Sequence, residues 1–159
     1  MRAAVITVSD RVSRGEAEDR SGDTLDELLA ADGYEVVRGL VSDDREAIAE
    51  AIRLFAKQAR LVLTTGGTGL APRDVTPEAT RDVLDREAPG IAQAIRADSI
   101  AKTPHGLLTR GLAGVAGSAL VVNLPGSTGG VRDGYAVLRP ALEHALRLLA
   151  DEATVHEQT

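Results

Sequence analysis

Two carboxylates and one glycine-rich turn are the residues of this chain best suited to chemistry. Residues 61–74 read Leu-Val-Leu-Thr-Thr-Gly-Gly-Thr-Gly-Leu-Ala-Pro-Arg-Asp. An apolar run passes through Thr65 into Gly66, Gly67, Thr68 and Gly69, and the carboxylate of Asp74 stands five residues past the last glycine. Glycines at the end of a strand let the backbone turn sharply and bring bare N–H groups close to a ligand. Such groups suit an oxyanion, phosphate above all, and Asp74 can then hold a cation against it. The second carboxylate, Asp43, taken alone reads equally as a helix cap and as a ligand-facing group. Two carboxylates beside a phosphate loop suit a magnesium ion that keeps several waters and bridges phosphate oxygens.

Two better-known glycine motifs do not fit. A P-loop closes its glycine run with Lys-Ser or Lys-Thr, and no lysine lies near Gly69. A dinucleotide fingerprint needs G-x-G-x-x-G opening a helix, whereas Gly66, Gly67 and Gly69 are followed by Pro72. An ordinary strand-to-helix turn uses one or two glycines; Thr-Thr-Gly-Gly-Thr-Gly followed by Pro-Arg-Asp favours a ligand loop.

The elements that position these residues follow from apolar patterning. Residues 3–8 form a short unalternated apolar run, the mark of a strand covered on both faces. A polar loop is expected from Ser9 to about Arg20. A helix then opens at Ser21-Gly-Asp-Thr, buries Leu25, Leu28 and Leu29, and stops at Gly33. Residues 34–41 read as a second strand. Ser42, Asp43 and Asp44 start a helix with Ile48, Ile52 and Phe55 at helical spacing. Residues 60–65 make the third strand. Thr76-Pro77-Glu78 is a strong helix start, with Thr76 as its hydroxyl cap, which leaves Asp74 free for a ligand. Another helix is expected from about Pro89 to Ala101. Glycines interrupt residues 107–116, so that segment is irregular or a short edge strand. Residues 119–123 form the last strong strand, and residues 131–150 the closing helix, which Pro140 is expected to kink or split. Residues 1–150 thus form one domain, and residues 151–159 a polar, frayed tail.

Strands alternating with helices predict an α/β fold: a mainly parallel sheet with helices on both faces and a short edge-strand excursion. In such a sheet the carboxyl ends of the strands share one edge, where ligands bind. Ser9 and Asp10, Ser42 and Asp43, Thr65 to Gly69, and Asn123 to Ser127 all fall there. Asn123, leaving its strand just before Pro125 and Gly126, is expected to reach a ligand. Ser9 and Asp10, on spacing alone, read slightly better as a plain strand end. Arg73, Arg96, Lys102 and Arg110 are candidates to steer phosphates, though each also reads as a surface charge. No two histidines have metal-ligand spacing.

Bulk properties narrow the classes. The chain of 159 residues is 43% hydrophobic and 26% charged, suited to one soluble core. Its net charge of −6, and an aromatic set of only Phe55, Tyr34 and Tyr135, argue against nucleic-acid binding. The absence of cysteine excludes thiolate metal sites, disulfides and cysteine nucleophiles. With no basic-then-apolar leader and no apolar run near membrane length, the expectation is a cytoplasmic protein without membrane contact.

Thr65-Gly-Gly-Thr-Gly, followed by Pro-Arg-Asp-Val-Thr-Pro-Glu-Ala-Thr, resembles the signature of the molybdenum-cofactor biosynthesis family of the Mog/MoaB type. Thr7-Val-Ser-Asp, Asp19-Arg-Ser-Gly and Asn123-Leu-Pro-Gly-Ser fit it in order, as do Lys102-Thr-Pro and Leu108-Thr-Arg-Gly-Leu-Ala-Gly-Val. The resemblance spans residues 3 to about 150. It implies a molybdopterin adenylyltransferase that converts ATP and molybdopterin to adenylylated molybdopterin and pyrophosphate. It further implies Asp43 and Asp74 as the Mg²⁺-binding carboxylates and residues 66–69 as the phosphate loop. Ser9, Asp10 and residues 123–127 become the remaining pocket wall, and the assembly a homotrimer. Ser42 departs from the proline common at that place. The rival reading is a molybdopterin-binding protein without catalysis.

Overall fold

The computed structural model describes the backbone of residues 1–157 and the side chains of residues 1–150. Its sheet has six strands in the order β2-β1-β3-β6-β5-β4. Four are mutually parallel: β1 (Arg2–Val8), β2 (Glu35–Val41), β3 (Leu61–Thr65) and β6 (Ala119–Leu124). β5 (Ala113–Ala116) runs antiparallel to β6, and the two-residue β4 (Arg86–Glu87) antiparallel to β5. The excursion is therefore a true sheet extension, and β4 was not legible because two exposed polar residues carry no periodicity.

Burial follows position in the sheet. All five residues of β3 are buried, whereas the edge strand β2 exposes Glu35, Arg38 and Leu40. Ala3, Val5, Leu61 and Leu63 face one layer of helices, α2 (Arg20–Ala31) and α6 (Thr128–Glu157), through Leu25, Leu29, Leu138, Leu142 and Leu146. α5 (Pro89–Lys102) flanks α6 on this side through Ile91 and Ile95. Ala4, Ile6, Val8 and Val62 face α3 (Arg45–Ala56) and α4 (Thr76–Val83) through Ile48, Ile52 and Ala79. Alternate residues of β1 and β3 thus serve opposite layers, which accounts for their lack of polar alternation.

Several local expectations are corrected. The loop after β1 contains a short helix, α1 (Asp10–Ser13), capped by the Ser9 hydroxyl accepting from Val12 N–H at 3.2 Å. The cap of α3 is Asp44, which accepts from Ala47 N–H at 2.9 Å, so Ser42 does not fill that role. Thr76 does not cap α4; its hydroxyl donates to the Gly66 carbonyl at 2.9 Å, pinning the helix start to the glycine loop. Pro140 does not split the closing helix, which runs through it and is held to the core on either side by buried Leu138 and Leu142. The tail expected from Asp151 continues α6 to Glu157; residues 158 and 159 lie outside the described residues.

Register brings the strand ends level. Val8 pairs with Val41, and Thr7 with Thr65, which pairs in turn with Leu124. From β1 the chain steps outward to β2 on one side and returns through β3 on the other, so the crevice between β1 and β3 is the switch point.

Candidate active site

The glycine loop turns where only glycine fits. Gly66 has φ 98° and Gly67 φ 70°, and a Cβ at Gly66 would stand 2.3 Å from the Val8 carbonyl oxygen. The Gly66 N–H is used by Leu124 O at 3.2 Å, but the N–H groups of Gly67, Thr68 and Gly69 have no partner among the described residues. Thr68 itself is buried, with its carbonyl accepting from Arg110 N–H at 2.8 Å. The loop divides two unlike environments.

One is an acidic corner. Asp10 and Asp43 exchange hydrogen bonds between carboxylate and backbone: Asp10 N–H donates to Asp43 Oδ2 at 2.9 Å, and Asp43 N–H to Asp10 Oδ1 at 3.0 Å. Arg73 adds a two-pronged ion pair to Asp10, at 2.5 and 3.0 Å. Hydrogen bonding by Arg73, then by the Asp43 N–H, pulls the Asp10 carboxyl down to about 2. Asp43 moves the opposite way: desolvation raises it, and the charges of Asp10 and Asp74 raise it further. Asp43 and Asp74 both touch the loop. A Cβ at Gly67 would lie 3.2 Å from Asp43 Oδ1, and one at Gly69 2.9 Å from Asp74 Oδ2. Asp74 is not wholly free, because its Oδ2 accepts from Ala71 N–H at 3.0 Å.

This donor set fits magnesium. Both Asp10 oxygens are committed, whereas Asp43 Oδ1 and Asp74 Oδ1 form no hydrogen bond among the described residues. No group of three or more His, Asp or Glu among the described residues is disposed to enclose an ion. Two half-buried carboxylates, one made reluctant to ionise by burial and then by its like-charged neighbours, are of the type that suits a hard dication.

The other environment is a neutral cleft of about 460 Å³ at the switch point, walled by Thr7, Ser9, Ser21, Thr65, Gly66, Gly126 and Ser127. Thr65 donates to the Pro125 carbonyl at 2.7 Å and lies 2.9 Å from Ser21 Oγ, which joins the β3 and β6 exits to α2. Arg11 and Arg20 also line it, balanced in charge by Glu18 and Asp19. A second cleft of about 310 Å³ shares Ser127 and is lined by Ser99, Lys102, Thr103, His105, Thr109 and Pro125.

Asn123 is a correction. It is 4% exposed, with Nδ2 donating to Thr64 Oγ1 at 2.9 Å and Thr80 Oγ1 at 3.0 Å, and Oδ1 accepting from Leu112 N–H at 3.0 Å. Every polar atom of its amide is used in tying β6 to β3, α4 and the segment before β5, so it does not reach a ligand. Asp19, given no role by spacing, caps α2 through Gly22 N–H and accepts from Thr7 Oγ1 at 2.8 Å and Arg38 Nη2 at 2.7 Å. The signal was present in Asp19-Arg-Ser-Gly: a Cβ at Gly22 would meet Thr7, Asp19 and Arg38 at 2.5–2.6 Å. The four steering cations are engaged elsewhere. Arg73 pairs with Asp10 and Lys102 with Asp98 and Asp133, while Arg96 and Arg110 donate to backbone carbonyls.

Over residues 4–144 the chain matches the family described as a probable molybdopterin binding domain. It belongs to the Mog/MoaB family. This family serves molybdenum cofactor biosynthesis. The chain is 47% identical to the solved molybdopterin biosynthesis enzyme MoaB of Thermus thermophilus, with a TM-score of 0.87 over 93% of this chain and 95% of that one. It is 35% identical to the molybdopterin adenylyltransferase of Helicobacter pylori, across 91% of this chain and 85% of the relative. It is also 38% identical to the molybdenum cofactor synthesis protein cinnamon of Drosophila melanogaster, covering 98% of this chain but 26% of that protein. The chain spans between 22% and 49% of the length of several curated relatives of this family, cinnamon among them. Its six-stranded, mostly parallel α/β domain is the Mog/MoaB fold. Among the described residues no helix is long and apolar enough to cross a membrane.

Proposed function

We propose that this protein is a molybdopterin adenylyltransferase, moving AMP from ATP to the terminal phosphate of molybdopterin. The observation that carries the reading is the bare glycine loop set between an acidic corner and a neutral, hydroxyl-lined cleft. A phosphate oxygen of molybdopterin attacks the α-phosphorus of ATP, the bond to the bridging oxygen breaks, and pyrophosphate leaves. This displacement needs no protein nucleophile, only alignment and neutralisation of charge, so a chain without cysteine is well equipped. The N–H groups of Gly67, Thr68 and Gly69 receive phosphate oxygens. Ser9 and Ser127 line the approach, and the two clefts meeting at Ser127 give room for two substrates side by side. Asp43 and Asp74 would hold Mg²⁺, which would supply neutralisation of phosphate charge there.

The name of the Helicobacter pylori relative supports the same activity. A purely binding role gives Asp43 and Asp74 no task that offsets their crowding. The deciding experiment is pyrophosphate release with ATP, Mg²⁺ and molybdopterin. Release is expected only when all three are present, and background release with all three leaves a molybdopterin-binding module. A homotrimer belongs to the proposal, with exposed Ile100, Leu107 and Leu108 available for contact. Light scattering at micromolar concentration is expected to give three times 16.6 kDa, and a monomer or dimer removes that part.

A further inference from the structure

The bend that carries Asp74 has little of its own to hold it. Leu70, Ala71, Pro72 and Arg73 are all exposed, and the bend's internal bonds are Asp74 N–H to Ala71 O at 2.9 Å and Ala71 N–H to Asp74 Oδ2 at 3.0 Å. Its shape is imposed from distant parts of the chain: Asp10 holds the Arg73 side chain, and Arg110 holds the backbone. The Arg110 guanidinium donates to Gly69 O at 2.9 Å through Nε, to Asp74 O at 2.8 Å through Nη2, and to Glu78 Oε1 through Nη1. The Arg110 N–H donates to Thr68 O at 2.8 Å. One residue therefore grips the start of the bend, its end, and the first turn of α4. Arg110 is itself held on both sides, because Arg96 of α5 donates to Thr109 O at 3.1 Å and Gly111 O at 3.0 Å.

We propose that Arg110 is a positioning residue for nucleotidyl transfer: it fixes the bend at residues 69–74, and so places the Asp74 carboxylate beside the glycine loop. The inference rests on the adenylyltransferase reading for its enzymatic readout. A planar fork satisfies three acceptors at once; an ammonium group in its place keeps the charge opposite Glu78 but cannot span Gly69 O and Asp74 O in the same way. Glu78 leans on this cation, because its other oxygen, Oε2, is buried without a hydrogen-bond partner among the described residues. A merely structural Arg110 would affect melting temperature and all ligands alike. A positioning Arg110 weakens the response to metal selectively.

The test compares wild type, Arg110→Lys and Glu78→Gln by Mg²⁺ titration of pyrophosphate release at saturating ATP, alongside molybdopterin affinity and thermal melting. Arg110→Lys is expected to raise the half-saturating Mg²⁺ concentration about tenfold, the loss typical when a group orienting a metal ligand is removed. Molybdopterin affinity is expected to stay within about twofold, in keeping with an effect confined to the metal ligand. Glu78→Gln, which keeps the shape while loosening the guanidinium, is expected to shift the same way by a smaller factor, and carries the test if Arg110→Lys does not fold. An unchanged Mg²⁺ dependence in the folded variants, or a matching loss of molybdopterin affinity, overturns the inference. If wild type releases no pyrophosphate, the adenylyltransferase reading fails, and Mn²⁺ binding with a non-hydrolysable ATP analogue, followed by water-proton relaxation, still decides this one. Weaker Mn²⁺ binding by Arg110→Lys supports it; equal binding, or none by wild type, overturns it.

Discussion

The two sides of the glycine loop differ in what they lack. On the side of β2, Asp10, Asp43 and Asp74 crowd together, and Arg73 pairs with Asp10 while offsetting the charge at Asp43 only in part. On the side of β6, Ser9, Ser21, Thr65 and Ser127 bring hydroxyls to a cleft wall in which Glu18 and Asp19 are matched by Arg11 and Arg20. One environment is short of positive charge and the other offers donors to an anion, with the unpartnered N–H groups of residues 67–69 between them. A phosphorylated ligand with a dication on one flank satisfies both, which neither half explains alone. Because the protein supplies the charge pattern in advance, part of the folding stability is set against function at the acidic corner.

The comparison breaks most completely at the loop itself. Gly67→Val is expected to abolish molybdopterin binding, and turnover with it. Its φ of 70° disfavours a branched side chain, and a Cβ there meets Thr76 Oγ1 at 2.3 Å. Calorimetric titration with molybdopterin checks this, and near-wild-type affinity would show that the N–H groups of the loop do not hold the ligand. Asp74→Asn separates the two sides. It keeps the shape and the oxygen that accepts from Ala71 N–H but removes the charge. Turnover is expected to fall ~100-fold, about 2.7 kcal/mol of barrier, with molybdopterin affinity nearly unchanged. Full turnover at saturating Mg²⁺ would remove Asp74 from the metal's ligands.

Asn123→Ala tests a residue that sequence and structure place differently. Its loss strands Leu112 N–H and takes a donor from the buried oxygens of Thr64 and Thr80, the latter still donating to Thr76 O, so the expected effect is on stability, about 3 kcal/mol or roughly 6–12 °C in Tm. A variant as stable as wild type but without substrate binding would restore Asn123 to the ligand's side. The misplacement has a physical cause. A polar residue at the end of a buried strand looks the same in sequence whether it turns outward to a ligand or inward to hydroxyls on its neighbours. Thr64 and Thr80, its partners, lie 59 and 43 residues away, beyond any local pattern.

What was legible depended on range. Apolar runs gave β1, β3 and β6 to within about a residue, since all are covered on both faces and leave no polar alternation to mislead. Glycine spacing located the loop because the backbone conformation there excludes other residues. The caps were misjudged among near-equal neighbours: Asp44 and not Ser42 took α3, and Thr76 turned from capping to Gly66 O. Arg73, read as surface charge or phosphate contact, instead pairs with Asp10 across 63 residues. Local chemistry can be read along the chain, but the choice among equivalent partners is made by the fold.

A gentler variant sharpens the contrast within the acidic corner. Asp43 is raised by desolvation first and then by its like-charged neighbours, so its ionised form opposes folding once the pH passes its unfolded value. Asp43→Asn keeps an oxygen for the Asp10 N–H and removes that charge. Without metal at neutral pH it is expected to raise Tm by roughly 1–2 °C while suppressing turnover. A lower Tm without metal would show that the crowding is not felt there.

The smallest effect is a titration in which nothing is mutated. Asp10 and Asp43 bond to each other's backbone, yet their carboxyls are shifted in opposite directions. Asp10, lowered to about 2 by Arg73 and by the Asp43 N–H, adds stability that is complete above its unfolded value near 3.8 and is lost as the pH falls toward 2. Asp43 has the reverse sign: its proton is held more tightly in the folded state, so acidification through its range relieves the corner. Carboxyl carbon NMR is therefore expected to show Asp43 protonating before Asp10 as acid is added. Mg²⁺ with a non-hydrolysable ATP analogue is expected to move the Asp43 midpoint down and leave Asp10 almost still, because Asp10 already has its cation in Arg73. If Asp10 moved instead, the metal would lie on the wrong side of the Asp10–Asp43 pair, and Asp43 would be a structural partner of the Asp10 N–H and nothing more.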